Sequence, residues 1–287
     1  MLAVGALLAA AVAGCASQPS PEALAAQGLL AAGENAESRG DYDAALVQYV
    51  KVFSAEPDNT EAHYRIGRVH AALGNNVTAS EAYQRVLAKA PAHVGALEGL
   101  GLLYLEGGQR DVAASMLHKA LGKDAARWRS YNGLGILADL AGRHVLAQAY
   151  FGAALKLRPG DATLMNNLGY SYYLGGRMGD AQRKFEEVVA GDPGNQKGWS
   201  NLGLILARQG QYPRAVQTME RIMSPSEARY SVGYICLIDG KLPEAERLFK
   251  ESVRKSTSYN PAAHAALKRV REEKARRARV GDEEDDE

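Results

Sequence analysis

The sequence offers few groups able to do covalent or metal chemistry. Its six histidines, His63, His70, His93, His118, His144 and His264, are scattered. None stands in the HExxH spacing that sets two imidazoles on one helix face. Cys15 and Cys236 are the two cysteines, and no CxxC pair exists, so neither a disulfide framework nor a redox dithiol motif is present. Gly99-Leu100-Gly101 and Gly133-Leu134-Gly135 open like a dinucleotide-binding loop, but no third glycine follows and no strand precedes them. There is no Gly-Lys-Ser/Thr phosphate loop and no Gly-x-Ser-x-Gly elbow. Cys236 lies in an apolar run and reads as a buried, inert thiol. These observations argue against an enzyme, a cofactor, a metal site or a small-molecule substrate. The net charge of +1 supplies no field to gather nucleic acid. What remains is non-covalent chemistry. Asn132, Asn166, Asn167 and Asn201 recur in phase. A carboxamide donates and accepts at once, so it can match both sides of a peptide bond.

One thiol has a different setting. Leu2 to Val12 is apolar and uncharged, too short to span a bilayer and suited to the central region of a secretory signal. Val12-Ala13-Gly14-Cys15 follows it and resembles the bacterial lipobox. The resemblance implies cleavage before Cys15 and lipidation of its sulfur. Small residues let a peptidase reach the bond, and the thiolate can be alkylated. No Lys or Arg precedes Leu2, which a start codon placed too late would explain. Ala16, rather than an aspartate, follows the cysteine, and this favours an outer-membrane anchor facing the periplasm. Residues 1–14 are therefore expected to be a lipoprotein signal peptide and 15–21 a short extended tether containing Pro19 and Pro21.

The elements that must position the asparagines come from a repeat. Gly33, Gly67, Gly101, Gly135, Gly169 and Gly203 stand 34 residues apart. Gly40, Gly74, Gly108, Gly142, Gly176 and Gly210 run in the same phase, as do Ala45, Ala79, Ala113, Ala147, Ala181 and Ala215. A 34-residue period resembles the tetratricopeptide (TPR) repeat, a pair of antiparallel helices that buries its apolar face only by stacking on its neighbours. The fold class expected is all-α, a solenoid of seven repeats over 22–259, a capping helix over 260–280 and an acidic tail over 281–287, with Gly281 stopping the helix. Pro57, Pro91, Pro159 and Pro193 share one phase and mark unit ends, because proline stops a helix from running on. After Gly203 the next glycine of the set is Gly233, 30 residues later, so a shortened helix and a local change of twist are expected near Met223-Ser224-Pro225-Ser226. Glycine inside a helix costs about 1 kcal/mol relative to alanine. Close approach of the paired helix at the level of Ala181 is the expected compensation at Gly169, with Leu168, Tyr172, Phe185 and Val188 filling the space around it. In the capping helix Ala263, Leu267 and Val270 are spaced to cover the last repeat, ahead of a basic stretch.

In such a solenoid the first helices of successive units line a concave face. In peptide-binding tetratricopeptide proteins, asparagines just before the leucine–glycine pair bond the backbone of an extended ligand. The resemblance therefore gives Asn132, Asn166, Asn167 and Asn201 that role, with Tyr64, Arg68, Arg129, Tyr170, Tyr173, Arg208, Tyr230 and Tyr234 on the same face. Aromatic and arginine residues are the usual anchors of interfaces. A second reading stands beside this one: the asparagines join neighbouring helices and the tyrosines are half-buried packing.

The C-terminal residues narrow the family. Arg229-Tyr230-Ser231-Val232-Gly233-Tyr234, Gly240-Lys241-Leu242-Pro243-Glu244-Ala245-Glu246 and Ser256-Thr257-Ser258-Tyr259, with the lipobox, resemble the TadD-type lipoproteins of tight-adherence (Tad/Flp) pilus systems. That resemblance implies a periplasmic scaffold whose groove holds an extended segment of a protein partner, a secretin or another pilus-assembly component, while the lipid on Cys15 holds the membrane. An outer-membrane adaptor for cell-wall enzymes is the alternative.

Overall fold

A computed structural model describes residues 20–284. Cys15, the expected signal peptide and most of the tether lie outside the described residues, as do the last three positions of the tail. Among the described residues there is no strand, and no helix is long and apolar enough to cross a membrane. Fifteen helices follow one another: α1 (Pro21–Ser38), α2 (Tyr42–Ala55), α3 (Thr60–Ala72), α4 (Asn76–Lys89), α5 (Val94–Glu106), α6 (Arg110–Lys123), α7 (Trp128–Leu140), α8 (His144–Leu157), α9 (Ala162–Leu174), α10 (Met178–Gly191), α11 (Gln196–Arg208), α12 (Tyr212–Met219), α13 (Pro225–Ile238), α14 (Leu242–Lys255) and α15 (Pro261–Glu284). They form two compact units, the first ending at Leu103 and the second starting at Tyr104, inside α5.

Local chemistry sets the helix ends. Ser20, Asn59, Asp161, Asn195 and Ser224 each accept a hydrogen bond from the first turn of the helix they precede, a cap worth about 1 kcal/mol. Pro57, Pro91, Pro159 and Pro193 each stand two residues beyond the end of α2, α4, α8 and α10. The turns within pairs need glycine. Gly40, Gly74, Gly108, Gly142, Gly176, Gly210 and Gly240 have φ between 69° and 76°, the left-handed region that a side chain resists. Around Gly176, the Gly176 N–H donates to the Tyr173 carbonyl at 3.0 Å and the Arg177 N–H to the Tyr172 carbonyl at 2.8 Å. These bonds satisfy the last carbonyls of α9.

The glycines inside the first helices are each matched to one side chain of the paired helix. A Cβ on Gly169 would stand 2.8 Å from the Phe185 ring, and one on Gly135 would stand 2.6 Å from the Phe151 ring. Gly33 and Gly67 face Tyr49 and Tyr83 in the same way, Gly203 faces Met219 and Gly233 faces Phe249. Each glycine makes room for a bulky side chain sixteen positions on. At Gly169 it is the Phe185 ring, one of the side chains expected there, that fills the space, and Ala181 is fully buried in the same helix. Tyr49, Phe151, Phe185 and Phe249 are among the largest fully buried side chains. Burying such a ring offsets the glycine cost, since a buried aromatic contributes several kcal/mol against truncation.

In the second unit, α12 has 8 residues where α8, α10 and α14 have 14, and this absorbs the slip in period. Pro225 begins the next helix behind a Ser224–Glu227 capping box. Ala263, Ala266, Leu267 and Val270 of α15 are buried, and α15 packs on α14 and α13. α15 continues through Gly281 to Glu284 instead of stopping there. One glycine lowers helix propensity but ends a helix only where the chain turns left-handed.

Candidate functional site

The first helices of the second unit, α7, α9, α11 and α13, pack in succession. Along this row the asparagines bond to one another. Asn167 Nδ2 donates to Asn132 Oδ1 at 2.8 Å, and Asn201 Nδ2 donates to Asn166 Oδ1 at 3.2 Å. Asn166 Nδ2 also donates to the Ala162 carbonyl at 3.0 Å. The spacing of 35 rather than 34 positions means that one column of the repeat donates to the adjacent column of the preceding repeat. Asn166 is 2% exposed, so its amide is a joint between α9 and α11 and not a contact for a ligand. Asn132, Asn167 and Asn201 are half-buried, and each engages one side of its amide. Asn132 Nδ2, Asn167 Oδ1 and Asn201 Oδ1 are left, one donor and two acceptors.

The aromatic residues divide. Tyr170 and Tyr234 are exposed, at 44% and 39%. Tyr173 is half-buried, with its ring 5.6 Å from Tyr170 and the Arg208 guanidinium 6.0 Å above it. Arg208 also pairs with Asp239. Tyr230 is half-buried between Tyr234 and Phe249, at 6.3 and 5.6 Å between ring centroids, and serves packing. Three aliphatic residues that the sequence analysis did not single out, Leu140, Leu174 and Ile238, are also exposed on α7, α9 and α13. They share one phase of the repeat, at the last residue of each first helix, and that phase was the signal that could have found them.

Tyr64 and Arg68 lie in the first unit. Tyr64 fills the space over Gly95, where a Cβ would stand 2.5 Å from its hydroxyl, and its ring is 4.7 Å from His93. The Arg65 and Arg68 guanidinium carbons lie over the same ring, each 5.9 Å from its centre. Arg65 pairs with Glu34 at 2.5 Å and Glu61 at 2.5 Å, and Arg68 pairs with Glu37 at 3.4 Å. Tyr49 Oη donates to Glu37 Oε2 at 2.7 Å; burial first, and then that carboxylate, push the phenol well above its ordinary pKa. These groups lock α1, α2 and α3 together. Arg129, on α7, lies over the ring of Trp128 at 5.2 Å.

One cluster has the residue types of a hydrolase triad. Ser171 Oγ donates to Asp139 Oδ1 at 2.9 Å, and His144 Nδ1 stands 2.9 Å from the same oxygen. The carboxylate sits between serine and imidazole, so no base is placed to take the serine proton, and Ser171 is fully buried. The cluster ties α7, α8 and α9. Cys236 is 1% exposed, and burial, with Glu244 next, pushes its thiol up to about 11. Among the described residues no group of His, Cys, Asp and Glu could hold a metal ion.

No curated protein matches the chain. Solved structures do. A tetratricopeptide repeat protein from Parabacteroides merdae is 17% identical with a TM-score of 0.58, over 86% of this chain and 99% of the other. Pseudomonas aeruginosa pilF is 18% identical with a TM-score of 0.60, over 81% of this chain and 100% of the other. The C-terminal part of a TPR repeat-containing protein from Cytophaga hutchinsonii is 17% identical with a TM-score of 0.57, over 82% and 98%. At such identities the likeness is one of fold. The family model described as the tetratricopeptide repeat matches residues 23–94, 98–161, 141–195 and 175–227. Stacked helical pairs with an internal register of glycine against ring, and more than half the length matched by that model, lead to one conclusion: the chain belongs to the tetratricopeptide repeat family, whose fold is a protein-interaction scaffold.

Proposed function

We propose that the protein is a lipid-anchored periplasmic scaffold at the outer membrane, and that the row α7, α9, α11 and α13 receives an extended segment of a partner protein. The partner is a component of a Tad/Flp-type pilus machine, with a secretin the first candidate. The observation that carries the reading is the composition of that row. α9 contains no charged residue at all, Tyr170, Leu174, Tyr234, Ile238 and Leu140 are exposed along the row, and the asparagines keep one donor and two acceptors between them. Exposed aromatic and aliphatic residues beside half-engaged amides suit a chain that binds through side chains and backbone together. The anchor and the pilus assignment rest on Val12-Ala13-Gly14-Cys15 and on the C-terminal resemblance, both read from sequence.

The test is capture of partners from envelope membranes with the mature lipoprotein, against a Tyr170→Ala/Tyr234→Ala variant. These rings are exposed, so the fold is expected to persist. A pilus-assembly component should be captured by the first and lost with the second. Equal capture by both would remove the row from the binding site. Cys15→Ala should move the protein from the membrane to the soluble periplasmic fraction; no change on fractionation would refute the anchor.

A further inference from the structure

Two arginines in the second unit stand on one ring, and among the described residues no acid pairs with either. Arg129, from the first turn of α7, lies 5.2 Å from the centre of the Trp128 ring. Arg158, which follows the end of α8, lies 5.3 Å from the same ring. Both are exposed, and among the described residues no ion pair is seen at either. The carboxylates nearest in sequence are committed elsewhere: Asp124 to Arg127 at 2.8 Å, and Asp161 to the Thr163 and Leu164 N–H groups that begin α9. Stacking engages the flat face of a guanidinium and leaves its five in-plane N–H donors unengaged. The ring thus holds two guanidinium groups that have no ion-pair partner among the described residues. Bringing two like charges to one indole without a counter-charge is unfavourable in itself. The first unit shows the matched case, in which Arg65 and Arg68 share Tyr64 and Glu34, Glu37 and Glu61 answer them.

From this geometry we infer that Arg129, Trp128 and Arg158 form a receptor for a carboxylate, and that its ligand is an acidic side chain of a bound polypeptide. The inference builds on the scaffold reading and adds the partner's chemistry: its segment carries glutamate or aspartate where it passes the junction of α7 and α8. A planar carboxylate accepts two parallel N–H bonds from one fork. Arg127, at the N-cap of α7, gives no side-chain cap to that helix, so the helix end does not oppose an anion.

Trp128 is also the reporter. With Trp199→Phe as background it is the sole tryptophan of the full chain, because the sequence holds two. A ten-residue glutamate peptide should change its fluorescence saturably. Arg129→Ala/Arg158→Ala should weaken that binding by about tenfold or more, since each removes charge-assisted hydrogen bonds. Arg129→Lys/Arg158→Lys keeps the charge but loses fork and stack, and should bind nearly as poorly as the alanine pair. Circular dichroism checks that each variant is folded. Unchanged affinity in the alanine pair, or full affinity in the lysine pair, would overturn the inference. So would binding of tripolyphosphate in the absence of binding to the glutamate peptide, which would make this a phosphate site. Tyr170→Ala/Tyr234→Ala leaves both arginines in place, so this receptor and the row of first helices can fail separately.

Discussion

The two units present the same chemistry in opposite states. In the first, an arginine pair over an aromatic ring is closed by glutamates, and the acid Glu37 serves Arg65, Arg68 and Tyr49 together. In the second, an arginine pair over an aromatic ring has no paired acid among the described residues, and the corresponding helix row carries amides and tyrosines with capacity left over. The core beneath is alike in both, a bulky side chain, most often a ring, set on a helix glycine. The arginines and Glu37 of the first unit are therefore committed to holding its helices together. In the second, part of the polar groups faces outward unmatched, and the proposed partner is assigned there for that reason.

The comparison can be broken from the core outward. Tyr49→Ala and Phe185→Ala should each cost about 3–5 kcal/mol in denaturant unfolding, because each empties the space that its glycine was cleared for. Unequal costs would mean that the shared core is only apparent. Gly169→Leu should cost about 1–3 kcal/mol by overpacking against Phe185. Next, Glu37→Ala should destabilise by about 1–3 kcal/mol, since it strands the buried Tyr49 phenol and removes the acid paired with Arg68. Arg129→Ala should change stability by less than about 0.5 kcal/mol. A large loss at Arg129 would show that its stack is structural and would erase the contrast. Asn167→Ala should lie between, at about 0.5–1.5 kcal/mol, the worth of one inter-repeat hydrogen bond.

The smallest effect concerns α15. Hydrogen bonds from Lys250 and Lys274 hold Glu246 at about 2, and those from Arg276 and Arg277 hold Glu273 at about 2, against 4.5 for a free glutamate. A carboxyl group whose pKa is depressed by folding stabilises above its unfolded value and loses that contribution as pH falls. The Lys274–Glu246 link between α15 and α14 should therefore weaken between about pH 4.5 and 2. Helicity followed by circular dichroism over that range should fall slightly more in the parent than in Lys274→Ala, which lacks the link already. Identical curves would show that the pair contributes nothing, as many exposed pairs do.

The period of 34 in glycine and alanine made the helical pairs legible, because one stacking geometry repeated along an axis demands the same small residues at the same places. The prolines and the slip before Gly233 marked where helices end and where one is short for the same reason: they act locally on the backbone. The asparagines were visible as a set, yet their use was not. Whether Asn166 faces a ligand or a neighbouring helix depends on which column it meets in the next repeat, a matter of one residue in register. Phe185 was visible as one of four side chains around Gly169, but nothing in the sequence says that its ring is the one that takes the vacated space. Trp128, Arg129 and Arg158 span 31 positions, and nothing in their order says that they meet. The sequence alone determined the repeat, its helices and the ends that proline and turn glycines mark, though not the end of α15, because periodicity and propensity are short-range properties of the chain. Only the tertiary structure decided which polar groups answer one another and which are left facing solvent, because pairing depends on distances that packing sets.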